Sequence, residues 1–210
     1  MINPYYNNSD YIFDVAQQFK FNNHFMNEHH NPWQVLDQQD IYDNAWINLT
    51  EYNVINPSGG KGIYGKVHFK NTAVGIVPLD ENMNTYLVGQ FRFTINEYSW
   101  EIPEGGGALT EEPLIAAQRE LLEETGLRAA TWKKIAEMYL SNSVTDENCF
   151  IYIAQHLTQH KPMPDETEQL LVKKLPFEEV YAMVMEGKIK DAMTITAVLH
   201  TKILMLENKL

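Results

Sequence analysis

The sequence predicts an α+β fold, a sandwich in which helices cover a mixed β-sheet. Two observations predict it. Short apolar runs of strand length, bounded by turn residues, follow one another along most of the chain and are interrupted by one charged helical segment. From residue 176 to the C-terminus the apolar residues return to helical spacing, which indicates two closing helices.

Length, charge and cysteine content restrict the class of protein. The 210 residues suit one globular domain with an appendage, and the formal net charge of −12 argues against a nucleic-acid partner, which needs a basic surface. Cys149 is the only cysteine, so no internal disulfide is possible and a cytoplasmic location is expected. No apolar run approaches the roughly 18 residues of a membrane span, and we expect no signal peptide and no membrane partner.

Residues 1–31 differ from the rest because they are rich in asparagine and aromatic residues. They predict a semi-ordered N-terminal extension, with an arm that docks on a surface as the alternative. The globular domain is expected over residues 32–210. Its first part, about residues 32–70, is predicted to form antiparallel strands, with the strongest turn signal at residues 56–62.

The remaining strands and helices follow from the apolar pattern. The predicted strands are residues 72–79, 85–93, 131–141, 148–157 and 169–175, and residues 98–103 are predicted to form a short extended segment that leads into the glycines. Because residues 80–84 (DENMN) form a turn, the first two of these strands are predicted to pair as a hairpin. One closing helix is expected from Pro176 to Gly187, and a second from Asp191 to the C-terminus.

The charged helix is predicted between an N-cap at Thr110 and a stop at Gly126, with Pro113 in its first turn. Two apolar stripes are expected to be buried, namely Leu114, Ala117 and Leu121, and beside them Ile115 and Leu122.

The same helix places Glu120, Glu123 and Glu124 on one arc, although each like-charged pair at this spacing costs about 0.2–0.5 kcal/mol. Arg128 is the one basic residue that helical spacing brings into reach. Three carboxylates beside a backbone with glycines at 105–107 suit a hard divalent cation such as Mg²⁺. A solvated acidic face is the alternative.

The spacing of these residues resembles the Nudix box, G-x5-E-x7-R-E-U-x-E-E-x-G-U, in which U is a bulky aliphatic residue. Every fixed position agrees: Gly105, Glu111, Arg119, Glu120, Leu121, Glu123, Glu124, Gly126 and Leu127. The box covers residues 105–127. The resemblance implies a Nudix-type α/β/α sandwich with N-terminal antiparallel strands, and hydrolysis of nucleoside diphosphates linked to another moiety.

The resemblance also implies roles for the box residues. Glu120 and Glu124 would be the main metal ligands, with Glu123 assisting and the backbone carbonyl of Glu104 as a further ligand. Arg119 would orient the carboxylates through charge-assisted hydrogen bonds. The implied cofactor is Mg²⁺, with Mn²⁺ as a substitute, which would neutralise the pyrophosphate and activate a water.

Residues outside the box resemble the ADP-ribose and nucleotide-sugar pyrophosphatase branch of the family. Residues 90–92 (QFR) match its Q-[YF]-R strand, and residues 101–105 (EIPEG) match its E-x-P-x-G lead-in. Arg92 would contact a phosphate or ribose, and a surface arginine is the alternative. Glu101 would bind sugar hydroxyls or a partner subunit, with a purely structural role as the alternative.

The loop at residues 139–147 (YLSNSVTDE) resembles the Y-x-S-P-G-x-S-D-E loop of that branch. The matching positions include Ser141, Thr145, Asp146 and Glu147, the last of which we assign to the substrate site. Asn142 and Ser143 stand where proline and glycine are usual. Since that proline is associated with ADP-ribose, the substrate stays open between ADP-ribose and another nucleotide sugar such as GDP-mannose.

Three further features follow from the same resemblance. In residues 164–172, similar to a late acidic loop, Glu166 would be the general base and Glu168 a metal ligand, with a plain acidic loop as the alternative. Trp46 lies where the branch places an aromatic ring that stacks on the nucleobase; core packing or a dimer contact is the alternative. A homodimer is implied, and whether its N-terminal strands are exchanged stays open.

Two other functions compete with this interpretation. An RNA 5′-pyrophosphohydrolase shares the box, but the negative charge and the QFR and EIP segments argue against it. A non-catalytic nucleotide sensor would be expected to have lost box carboxylates or gained a DNA-binding domain, and neither is seen in the sequence.

Overall fold

The computed structural model describes residues 30–161 and 170–210, and it confirms the α+β prediction. The strands are β1 (Gln34–Asp43), β2 (Ile47–Ile55), β3 (Lys61–Phe69), β4 (Asn71–Leu79), β5 (Asn84–Arg92), β6 (Glu97–Glu101), β7 (Glu104–Ala108), β8 (Leu127–Tyr139), β9 (Asn148–Gln159) and β10 (Leu171–Pro176). The helices are α1 (Pro113–Thr125), α2 (Phe177–Met185) and α3 (Ala192–Leu206).

A mixed sheet in the order β7-β4-β9-β8 forms the centre of the fold. Strand β4 pairs in parallel with β9 and antiparallel with β7, and its residues from 73 to 79 are all buried. Successive side chains of a strand point to opposite faces, so Val74 and Ile76 pack beneath α1. Val77 and Leu79 pack on the other face with residues of α2 and α3, which gives the predicted α/β/α layering.

The predicted hairpin between residues 72–79 and 85–93 is wrong, because β4 and β5 belong to different sheets. Both edges of β4 are already paired, and β5 lies between β10 and β6. The turn itself is present. Asp80 Oδ1 accepts hydrogen bonds from the backbone N–H of Asn82 at 2.9 Å and of Asn84 at 2.8 Å, and Met83 adopts a positive φ of 58°. This turn leads the chain from one sheet into the next.

The start of the charged helix also differs from the prediction. Helix α1 begins at Pro113, and its N-cap is Glu112, whose side chain makes no capping hydrogen bond, rather than Thr110. A residue before proline is driven from the helical region, and Glu112 accordingly has a ψ of 126°. The helix ends at Gly126 as predicted, with a φ of 70°. Ile115 is exposed, so the prediction that it is buried is wrong.

The predicted N-terminal strands are present as an antiparallel sheet in the order β1-β2-β3. Residues 140–147 dock on its β3 edge, where the N–H of Val67 donates to the carbonyl of Val144 at 2.9 Å. Most of the predicted extension, and the acidic-loop residues Glu166 and Glu168, lie outside the described residues. Within the described part of the chain, each helix is too short or too polar to cross a membrane.

Candidate active site

The candidate site lies where the glutamates of α1 face the backbone of β7. Glu124, which is 4% exposed, accepts a hydrogen bond from the N–H of Glu104 at 3.0 Å. Glu120 accepts one from the N–H of Gly106 at 3.2 Å. The two carboxylates therefore hold β7 on either side of Gly105. A side chain at Gly105 would prevent this, since its Cβ would lie 2.2 Å from Cδ of Glu120.

Arg119 pairs with the carboxylates of Glu120 and Glu123 from the helix side. Its Nη1 donates to Glu120 at 2.8 Å and to Glu123 at 2.9 Å, while its Nη2 donates to the carbonyl of Gly106 at 2.7 Å. These are the charge-assisted contacts that the resemblance implies for this arginine. Helical spacing predicted Arg128 as the basic partner, which was wrong; Arg119, to which the resemblance assigns the orienting role, makes these ion pairs.

Burial and Arg119 act in opposite directions on the pKa of the Glu120 carboxyl. Burial raises the pKa of the Glu120 carboxyl above its ordinary value, and the charge and hydrogen bond of Arg119 oppose that rise. A divalent cation would act in the same direction as Arg119, by stabilising the ionised carboxylates.

The residues present fit Mg²⁺ by their chemistry. The predicted donors are carboxylate oxygens and one backbone carbonyl, which are the hard ligands that Mg²⁺ prefers. The missing Cβ at Gly105 leaves the space that the Glu120 carboxylate fills. The residues that would hold the ion are Glu120, Glu123 and Glu124, with the carbonyl of Glu104.

Arg92 makes contacts that the sequence analysis did not foresee. Its Nε lies 3.0 Å from both carboxylate oxygens of Glu101, and its Nη2 donates to Glu104 at 2.7 Å. Glu101 is only 3% exposed, so a sugar hydroxyl would have to displace this pairing to reach it. Arg92 itself keeps 36% of its side chain exposed, so part of the side chain is accessible to a ligand.

Asp191 is a functional candidate that the sequence analysis missed. Among the described residues, its carboxylate lies with those of Glu101 and Glu104 in a group whose ligand atoms are all within 4.8 Å of one another. The only local signal was its place as the N-cap of α3, where it accepts the N–H of Thr194 at 2.6 Å.

The two remaining substrate candidates differ in exposure. Trp46 lies in the turn between β1 and β2 and is 67% exposed, so its ring is open for stacking rather than packed in the core. Glu147 precedes β9 and is half-buried, and this burial raises the pKa of its carboxyl. Glu166 and Glu168 stay predictions, since they are outside the described residues.

Comparison with known proteins identifies the family of this chain. A model described as NUDIX domain matches residues 69–194, more than half of the chain. ADP-ribose pyrophosphatase of Mycobacterium tuberculosis is 30% identical over 171 residues, which cover 80% of this chain and 82% of that one. GDP-mannose pyrophosphatase of Yersinia enterocolitica is 31% identical over 132 residues, 58% of this chain and 68% of the other.

A solved structure described as an ADP compounds hydrolase has the same fold. It superposes with a TM-score of 0.75 at 19% sequence identity, over 85% of this chain and 97% of that one. The matched family region contains the whole of the box and the strands that frame it. The chain therefore belongs to the NUDIX family and is a Nudix hydrolase.

Proposed function

We propose that this hydrolase cleaves the pyrophosphate bond of a nucleoside diphosphate sugar in a reaction that needs Mg²⁺. ADP-ribose would give AMP and ribose 5-phosphate, and a GDP-sugar would give GMP and a sugar 1-phosphate. The observation that carries the proposal is the pair of contacts by which Glu120 and Glu124 hold β7 on both sides of Gly105. The names of the two relatives support this class of substrate.

The chain's own residues would bind and orient the reactants. Bound Mg²⁺ supplies charge neutralisation and lowers the pKa of a water. Arg119 holds the carboxylates of Glu120 and Glu123 in place through its Nη1. Glu166 would accept the proton of the water that attacks one phosphorus, and Glu168 would add a metal ligand; both assignments rest on the sequence alone.

Substrate recognition would use four residues outside the box. The partly exposed Arg92 suits a phosphate, because a guanidinium offers paired donors to phosphate oxygens. The exposed ring of Trp46 suits a nucleobase, since stacking tolerates any base. Glu147 would contact the substrate from the start of β9, and Glu101 would act through Arg92.

A specific observation keeps GDP-mannose beside ADP-ribose. Asn142 and Ser143 replace the proline and glycine that are usual in the 139–147 loop. The loop is nevertheless held in place, because the hydroxyl of Tyr64 donates to the carbonyl of Ser143 at 2.6 Å and Asp146 pairs with Lys66 at 3.0 Å. If this loop borders the sugar, its sequence would favour a sugar other than that of ADP-ribose.

The enzyme is further proposed to act as a homodimer. Every residue of β1 is exposed, and Val35, Leu36, Ile41 and Tyr42 are each more than half exposed. In the described residues β1 pairs only with β2, so its other edge is available. Light scattering on the purified full chain is expected to give twice the monomer mass, and a monomer at micromolar concentration would contradict the proposal.

The first experiment measures turnover of ADP-ribose, GDP-mannose, UDP-glucose and 5′-triphosphate RNA with Mg²⁺, using a coupled phosphatase where the product needs it. We expect a nucleotide sugar to be preferred and chelation of the metal to abolish turnover. Glu124→Gln should remove activity while the fold is retained. Glu137→Gln, which makes the same change of charge on the surface, should keep both activity and fold. Near-normal activity of Glu124→Gln would refute the metal assignment, and preference for RNA would refute the substrate class.

A further inference from the structure

A second group of carboxylates lies beside the box and is built from three separate elements. Glu101 ends β6, Glu104 begins β7, and Asp191 is the N-cap of α3. Their ligand atoms are all within 4.8 Å of one another. The side chains of Glu101 and Glu104 are 4% and 8% exposed, so water contributes little to their solvation.

The charges of this cluster are not balanced by the described residues. Three carboxylates face one guanidinium, that of Arg92, which donates to Glu101 and to Oε1 of Glu104. Oε2 of Glu104 is buried and has no hydrogen-bond partner among the described residues. A buried carboxylate oxygen without a partner is costly, and a ligand that supplies positive charge would satisfy it.

We propose that Glu101, Glu104 and Asp191 form a second site for a hard divalent cation, separate from the box site. Three carboxylates from different elements supply the oxygen ligands that such ions require. Ca²⁺ binds oxygen at about 2.3–2.6 Å, so two oxygens on opposite sides of one ion can be as far apart as those of this cluster, which lie within 4.8 Å of one another. For a smaller ion the carboxylates would need to move only slightly closer together. The ion would occupy the side of Glu104 that Arg92 leaves unpaired.

The site is linked to the box through one residue. Glu104 places its carboxylate in the cluster, while its backbone N–H binds Glu124 of the box. An ion at the unpaired oxygen would neutralise part of the charge of Glu104, weaken its pairing with Arg92 and so make the guanidinium more available to a substrate phosphate. The proposal does not depend on which substrate the box site hydrolyses.

The test counts Mn²⁺ ions bound per chain of the full-length protein, by electron paramagnetic resonance of free Mn²⁺. Asp191→Asn should bind one ion fewer than the wild type and retain the box ion. Asparagine also caps helices well, so α3 should remain folded. Glu124→Gln should show the reverse, losing box binding while keeping the cluster ion. Glu186→Gln, an exposed residue with the same change of charge, should bind as the wild type does.

Two results would overturn the proposal. One is an unchanged ion count and affinity in Asp191→Asn; the other is loss of all Mn²⁺ binding in Glu124→Gln. If Asp191→Asn melts below the assay temperature, Glu104→Gln replaces it, since that variant keeps the backbone carbonyl of the box site and removes the cluster carboxylate. Failure of Glu124→Gln to change binding would count against the box assignment alone, so the two proposals are tested separately.

Discussion

Replacing Gly105 by alanine tests whether the contact between α1 and β7 organises the active site. An added Cβ would lie 2.2 Å from Cδ of Glu120 and 2.4 and 2.5 Å from its oxygens. Non-bonded carbon atoms prefer about 3.5–4.0 Å, so the carboxylate would have to retreat by roughly 1.3 Å. That movement would break its hydrogen bond to the N–H of Gly106 and disturb its pairing with Arg119.

The expected loss of activity follows from this displacement. A misplacement of about 1 Å in a catalytic group costs about 10²-fold in rate. We therefore expect kcat/KM of Gly105→Ala to fall by at least about 100-fold, which corresponds to about 2.7 kcal/mol of transition-state stabilisation. Stability should fall by only about 1–2 kcal/mol, because the atoms in the way are the end of a flexible side chain.

Gly106→Ala is the matched control on the same strand. A Cβ at Gly106 would meet Cβ of Asn71 at 3.6 Å, which is an ordinary contact, so this variant should keep activity and stability. The assay is hydrolysis of the preferred nucleotide sugar with Mg²⁺, together with a thermal melt of each variant. Activity of Gly105→Ala within about threefold of Gly106→Ala would refute the role given to the position of Glu120.

Two further predictions concern stability. Although burial opposes ionisation, hydrogen bonds from Lys174 and the 80–84 turn hold the pKa of Asp80 well below its usual range. Because the folded-state pKa is lowered, the ionised carboxylate stabilises the folded protein at pH values above its unfolded pKa of about 4. In that pH range Asp80→Ala should lower the free energy of unfolding by about 2–3 kcal/mol. Urea melts should show this difference becoming smaller as the pH falls through the folded-state pKa. Gly107→Ala would place Cβ 2.6 Å from Cβ of Ala116, so α1 and β7 would have to move apart. The same melts should show the free energy of unfolding lowered by about 1–3 kcal/mol. An unchanged melting midpoint would contradict the close packing of β7 against α1.

The sequence predicted the features that depend on local pattern. The box residues have fixed spacing along one helix, and the buried run of β4 is apolar throughout, so both could be recognised without any tertiary information. The hairpin prediction failed because the turn after residue 79 shows where a strand ends, not which edges of β4 are already paired. The Thr110 cap failed because Pro113 restricts the residue before it more strongly than a capping preference does.

The cluster around Glu104 shows why the rest of the site required the structure. Asp191 is far from Glu101 in sequence, and α3 brings them together by packing on the central sheet through Met193 and Ala197. Thr194 fixes the position of α3 relative to Glu101, because its hydroxyl accepts a hydrogen bond at 3.0 Å from the N–H of Ile102, the residue that follows Glu101. The same helix therefore supports the segment that leads into the box and adds a carboxylate beside it. A change in the packing of α3 should therefore reach Arg92 and Glu104 first, and the box helix only through the N–H of Glu104, which binds Glu124.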